Sequence, residues 1–441
     1  MLERLAYQRL LAWKQQAARK PLLLDGARQV GKSWLIGRQF GPREFREVHW
    51  LDFRANPQLS ALFAESLDPA TIIDNIEIEL GQRIDTKRDL LFLDEVGECQ
   101  QAVDALKYFA ERLPDAFICA SGSNIGLLRS YPVGKVDELA LLPLCFEEFL
   151  MATGREPLLA AYRAQRQSGT VHQQLWPRLL DYYFVGGMPE AVAAWFEPGQ
   201  RILERTAQVT RIHRNLINGY RRDFGKYAGI HDAQHIERVL ESVPMQLAAC
   251  QEGSVARYRF KGVVPQKQRY RELAGPIDWL EKARLLWKCF PVQGRPEPPL
   301  QARIKANRFR LYLFDVGLLG HMLGMTYADQ RAQSAAHKGY IAENFVRTEL
   351  GAHCRQPCYG WFEARAEIEF LIRDRQGQVI PVEVKNGSRT RARSLSAYID
   401  RYAPTRAIKL TGAPGSRSSG PVETWPLYHA QFLAYLSRKP F

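Results

Sequence analysis

Gly26-Ala27-Arg28-Gln29-Val30-Gly31-Lys32-Ser33 has the form G-x-x-x-x-G-K-S. An apolar run, Pro21-Leu22-Leu23-Leu24, leads into it, and Ser33-Trp34-Leu35-Ile36 continues it as a helical pattern. Strand, glycine loop and helix in that order make a phosphate cradle. The glycines let the chain turn tightly, so that successive backbone N–H groups face the phosphates at the positive end of the following helix. Lys32 then reaches the β and γ phosphates, and the Ser33 hydroxyl is placed to ligate Mg²⁺. Gly26, Ala27, Arg28, Gln29, Val30 and Gly31 complete the cradle. A second element follows at the spacing a nucleotide hydrolase needs: the apolar run Leu90-Leu91-Phe92-Leu93 ends in Asp94-Glu95. Asp94 is expected to hold the same Mg²⁺ through water, and Glu95 to orient and deprotonate the attacking water.

Strand candidates at Leu22–Asp25, Val48–Phe53, Leu90–Val96, Phe117–Ser121 and Val136–Leu144 alternate with helical stretches, which predicts an α/β fold with a mostly parallel sheet. The fourth strand ends in Ser121-Gly122-Ser123-Asn124. If that strand lies between the other two motif strands, Asn124 stands beside the γ phosphate as a sensor of hydrolysis; the alternative is a plain Ser/Gly turn. Spacing does not say whether Arg129 or Lys135 acts as a charge finger.

The chain has 441 residues, 46% hydrophobic and 24% charged, which is globular material sufficient for about three domains. No run of 18 or more apolar residues occurs and the N-terminus lacks an apolar signal core, so a cytoplasmic protein with no membrane partner is expected. The seven cysteines are odd in number and scattered, as reduced core residues are. His353-Cys354 with Cys358 lacks a second ligand pair at zinc spacing. His231 and His235 are separated by Asp-Ala-Gln, which suits a solvated helix face.

The net charge of +14 is concentrated: between Arg201 and Arg310 stand 22 Lys and Arg against 10 Asp and Glu. Such a stripe meets duplex DNA, docks an acidic protein client, or is simply solvated. Helical patterning runs from Glu147 to about Ile230, broken at Gly186-Gly187-Met188-Pro189, which predicts a tight turn between lid helices. Helices at Ile236–Ala249 and Ile277–Leu286, with β-rich pieces at Tyr258–Phe260 and Leu285–Phe290, suggest a winged helix. A third unit begins near Lys338, with a helix at Tyr340–Leu350, strands at Ile368–Ile372 and Val379–Lys385, and a flexible loop at Ala413–Pro421.

These stretches together resemble the prokaryotic P-loop ATPases with an AAA-like core and a C-terminal domain of uncharacterised function, DUF4143. The likeness is carried by the loop at 26–33, Leu93-Asp94-Glu95, Ser121–Asn124, Pro132–Val136, Leu142–Leu150 against P-x-S-F-x-E-F, Gly186–Glu190 and Leu311–Leu319. It implies ATP with Mg²⁺, and no N-K-x-D guanine-reading motif contradicts it. With the patterning above, the expected division is an AAA-like P-loop core at 1–150, a helical lid at 151–230, a basic winged-helix-like region at 231–325 and, as the resemblance implies, a restriction-nuclease-like α/β domain at 326–441. Homo-oligomeric rings are frequent in AAA-like proteins.

A restriction-nuclease-like fold holds Mg²⁺ and water with a helix Glu, a strand Asp and a Glu-x-Lys. Here Glu343, Glu369, Glu383 and Lys385 match those positions, with Glu369 where Asp is usual. Period-2 alternation puts Glu383 and Lys385 on the face opposite Ile380, Val382 and Val384. Three functions remain open on these readings: an ATP-driven switch acting on DNA or a protein, an ATP-gated DNA nuclease, and a nucleotide-dependent scaffold with little turnover.

Overall fold

In a computed structural model the chain is described over residues 2–437, apart from 124, 128–129, 229, 250–256, 333–338, 354–356, 364–365, 387–392 and 418–419; for 226–231 only the backbone is described. Two compact units divide it. One comprises Glu3–Leu142 with Lys282–Arg284, the other Pro143–Glu281 with Leu285–Pro440.

The first unit is built on β1 (Leu22–Asp25), β2 (Val48–Asp52), β3 (Leu90–Asp94), β4 (Phe117–Gly122) and β5 (Asp137–Ala140), all parallel in the order β2-β3-β4-β1-β5. β1, β3 and β4 are near-continuous apolar runs because helices cover both faces of a parallel sheet. The helix Gln100–Arg112 buries Ala102, Val103, Ala105, Leu106 and Phe109, a stripe at helical spacing, against Leu91, Leu93 and Ile118. Asp68 caps the helix Pro69–Leu80 by accepting the Thr71 N–H, and Gly81, at φ +68°, ends it in the left-handed conformation glycine favours.

The second unit opens with the helices Phe146–Met151, Glu156–Arg163, Gly169–Val185, Pro189–Trp195, Ile202–Ala228, Ile230–Ala248 and Tyr270–Lys282. A mixed sheet follows, made of β6 (Leu286–Gln293), β7 (Arg310–Leu313), β8 (Cys358–Glu363), β9 (Ala366–Arg373), β10 (Val379–Val384), β11 (Ala407–Thr411), β12 (Ser416–Arg417) and β13 (Val422–Pro426) in the order β12-β13-β11-β10-β9-β8-β6-β7. Trp361, Ile368, Leu395 and Tyr398 are central to its core.

Two sequence motifs interlock here. The Asp315 carboxylate accepts the Gly187 N–H at 2.7 Å and the Leu318 N–H at 2.9 Å, tying the Gly186-Gly187 break to the start of the helix Val316–Met322. A Cβ at Gly187 would lie 2.1 Å from the Leu144 carbonyl oxygen, so only glycine fits.

Several local expectations change. β6, expected at Leu285–Phe290 inside the basic middle region, belongs with β7, for which no strand was expected, to the end of the C-terminal sheet, because β6 pairs in parallel with β8. The helix expected at Ile277–Leu286 stops at Lys282, where Arg284 takes a positive φ of 62° and Leu286 starts a strand. Tyr258–Phe260 is not a strand; Tyr258 donates its N–H to the Phe309 carbonyl and its ring stacks on Phe309. Part of the loop expected at Ala413–Pro421 is β12, held by backbone pairing to β13 rather than by any side-chain pattern.

Candidate nucleotide-binding site and C-terminal carboxylate cluster

The order β3-β4-β1 puts the fourth strand between the two motif strands and aligns their C-terminal ends: Asp25 pairs with Gly122, and Leu93 with Ala120. The loop at 26–31 leaves β1 there and enters the helical segment that starts at Lys32. Gln29 and Gly31 have φ of +66° and +93°, the left-handed turns that curl a loop around an anion. A Cβ on Gly26 would sit 2.2 Å from the Leu141 carbonyl oxygen. The cradle therefore needs glycine for steric reasons as well as conformational ones.

Lys32 is 5% exposed, and its ammonium donates to the Gly26 carbonyl at 3.0 Å, the Ala27 carbonyl at 2.9 Å and the Ser123 hydroxyl at 2.9 Å. Burial pushes its pKa down, while Glu95, Asp25 and Asp94 oppose the shift. Asp94, at the tip of β3, accepts from the Ser121 hydroxyl, from the Glu95 N–H at 3.1 Å and from Trp50 Nε1 at 3.2 Å. These three donors fix its carboxylate. Glu95 follows in the left-handed conformation at φ +51°, which turns its side chain away from the strand direction. Burial raises its pKa and Asp94 adds to that, against Lys32 and Arg28. A half-buried carboxylate with a raised pKa is a competent general base. Ser33 is the second residue of the helix that starts at Lys32. Asn124 and Arg129 lie outside the described residues, and Lys135 pairs with Glu111 at 2.8 Å.

Residues 18–150 match the family model of the AAA domain. Residues 338–417 match a domain of unknown function, DUF4143. The chain carries an AAA domain and a DUF4143 domain. The AAA domain is of the nucleotide-binding, ATPase-like P-loop kind. Residues 177–329, between the two, match a further domain of unknown function, DUF8612. No curated protein matches the chain. Among the described residues no helix is long and apolar enough to cross a membrane.

The DUF4143 domain holds the second constellation. Glu343 lies on the helix Gly339–His353, Glu369 on β9, Glu383 on β10, and Lys385 just beyond β10. The Lys385 ammonium is 3.3 Å from a Glu383 oxygen. Glu369 Oε2 accepts the Val384 N–H at 3.0 Å, which pins the β9 carboxylate against β10. Burial lifts the Glu369 pKa to about 8, with Glu343 and Glu383 adding to the shift and Lys385 opposing it. Burial likewise raises Glu383, against Lys385. The four residues thus share one electrostatic neighbourhood.

Two participants have no signal in the spacing of the sequence. Arg310, on β7, donates to Glu343 and, at 2.7 Å, to Glu367, bridging helix and sheet. In the first unit Arg284 donates to Asp25 at 2.9 Å, at the end of the strand that feeds the phosphate loop. Each stands far along the chain from its partner, so only folding relates them.

Proposed function

We propose that this protein is a Mg-ATP hydrolysing switch whose nucleotide state changes the contacts of its basic middle region and DUF4143 domain with a client, duplex DNA or an acidic protein. The observation that carries the reading is the alignment at one sheet edge of the glycine cradle, a buried Lys32 and the Asp94–Glu95 pair, with β4 between the two motif strands. In this reading the backbone at 26–31 and Lys32 bind the triphosphate, and Glu95 takes the proton of the attacking water. Ser33 and Asp94 would hold Mg²⁺; Asp94 fits because three donors already orient its buried carboxylate. When bound, that ion neutralises charge on the phosphates. Excess positive charge between 201 and 310 supports an anionic client. ATP turnover with and without duplex DNA is the test: stimulation by DNA supports a DNA client, unstimulated turnover a protein client, and no turnover in either case removes the ATPase reading.

A second reading, ATP-gated cleavage of DNA, is favoured by the mutual electrostatic coupling of Glu343, Glu369, Glu383 and Lys385. Carboxylates held near a Lys bind divalent ions and activate water. Arg310 weighs against it, since it already satisfies Glu343. Plasmid nicking with Mg²⁺ or Mn²⁺ that disappears in Lys385→Ala would support cleavage; absent or unchanged nicking leaves the cluster as a structural ion-pair network.

A further inference from the structure

Away from both sites, three side chains of different chemistry meet inside the second unit. Cys145 is the N-cap of the helix Phe146–Met151: its sulfur takes the Glu148 N–H, and the Glu148 carboxylate takes the Cys145 N–H at 3.0 Å. Glu349 and His353 are four apart on the helix Gly339–His353, so they share one face. One ligand atom from each of Cys145, Glu349 and His353 lies within 4.8 Å of the others.

Glu349 is 1% exposed. Its Oε1 accepts the Phe146 N–H at 3.0 Å, but its Oε2, fully buried, has no hydrogen-bond partner among the described residues. Leaving such an oxygen unsatisfied costs about 1–3 kcal/mol. The hydroxyl of Tyr162, also buried and also without a partner, feels the charges of Glu349, Glu147 and Cys145. A buried carboxylate oxygen left without a hydrogen-bond partner beside a thiol and an imidazole points to a missing cation.

We propose that Cys145, Glu349 and His353 form a Zn²⁺ site with one sulfur, one oxygen and one nitrogen donor, joining the helix Phe146–Met151, which opens the second unit, to the first helix of the DUF4143 domain. Mixed thiolate, imidazole and carboxylate ligation suits zinc, whereas Mg²⁺ and Ca²⁺ take oxygen ligands. Bond lengths of about 2.0–2.3 Å to a tetrahedral ion set the donors roughly 3.3–3.8 Å apart, inside the 4.8 Å that bounds the present cluster. Binding sends the Cys145 thiol proton to solvent, along with the Glu349 proton where it is held, and the imidazole coordinates neutral. The fourth position falls to water.

The full chain, stripped with chelator, is titrated with Co²⁺ and then Zn²⁺. One equivalent of Co²⁺ should develop the near-ultraviolet thiolate-to-cobalt charge-transfer band, and Zn²⁺ should bleach it. Cys145→Ser keeps a capping oxygen for the Glu148 N–H, so it should fold and lose the band. His353→Gln should weaken Co²⁺ binding at least about tenfold. The double variant Cys289→Ser, Cys358→Ser controls for the other close thiol pair, whose sulfurs are 3.3 Å apart, and should keep the band. An absent band in the wild type, a band unchanged in Cys145→Ser, or one lost only in the double variant overturns the site. If Cys145→Ser does not fold, unchanged Co²⁺ affinity in His353→Gln overturns it and weakened affinity supports it. The Mg²⁺ position of the nucleotide site has no sulfur, so loss of ATPase activity and loss of this band report separate failures.

Discussion

The phosphate loop and the C-terminal carboxylate cluster both bury charge, yet they are assembled in opposite ways. In the AAA domain one stretch of eight residues makes the cradle, and its lysine is satisfied mainly by carbonyls of that same stretch, Gly26 and Ala27. In the C-terminal cluster the charges come from a helix and two strands of the DUF4143 domain and from β7, which lies outside that domain, and distant segments bridge them, as Arg310 holds Glu343 and Glu367. A locally built site tolerates loss of one side chain in its fold and fails in its chemistry. A site built from distant segments is part of the core, and damage to it should register first in stability.

That contrast can be broken most directly at Glu95. Glu95→Gln should retain ATP affinity while turnover falls about 10²–10⁴-fold in a steady-state phosphate-release assay, with little change in melting; full turnover would remove Glu95 as the base. Next in size is Arg310→Met, which leaves Glu343 and Glu367 without their shared partner at a site where Arg310 is 11% exposed. A destabilisation of about 3–5 kcal/mol is expected in denaturant unfolding, with ATP turnover per folded molecule unchanged. A smaller loss reversed by Mn²⁺ would instead favour a cation-binding role for the cluster.

Lys32→Ala should weaken ATP binding about 10- to 100-fold by calorimetry, the worth of a charge-assisted contact. Melting that falls as far as in Arg310→Met would erase the distinction between the two regions. The smallest expected effect is pH-dependent. Glu369 titrates at about 8 in the folded chain against an ordinary 4.5. Below the lower value both states hold the proton; between the two the unfolded chain releases it first, so stability declines as pH rises and levels off above the folded value. Glu369→Gln cannot titrate and still accepts the Val384 N–H. Its melting temperature should therefore exceed the wild type's by a few degrees, about 2–4 °C, at pH 8 and converge with it near pH 5. Equal melting at both pH values would show that Glu369 is already ionised in the fold.

Legibility in the sequence follows the same division. β1 was readable to the residue because an apolar run ends where the glycine loop begins; β3 was readable at its start, but it ends at Asp94 rather than at the expected Val96 because Glu95 turns left-handed. β12 escaped, since two residues carry no periodicity, and so did the membership of β6 in the C-terminal sheet, since strand pairing partners leave no mark on the strand itself. Glu343, Glu369, Glu383 and Lys385 were singled out by resemblance; their burial, and Arg310 beside them, had no sign in the sequence.

The sequence alone determined a phosphate cradle followed by an acidic strand end, because those functions need fixed residue types at short, fixed spacing. Tertiary structure decided that β4 separates the two motif strands, that Asp315 clamps Gly187, and that Cys145 comes within reach of Glu349 and His353. The last two of these meetings join residues more than a hundred positions apart. They depend on which apolar faces are buried together, and no local pattern of residues encodes that choice.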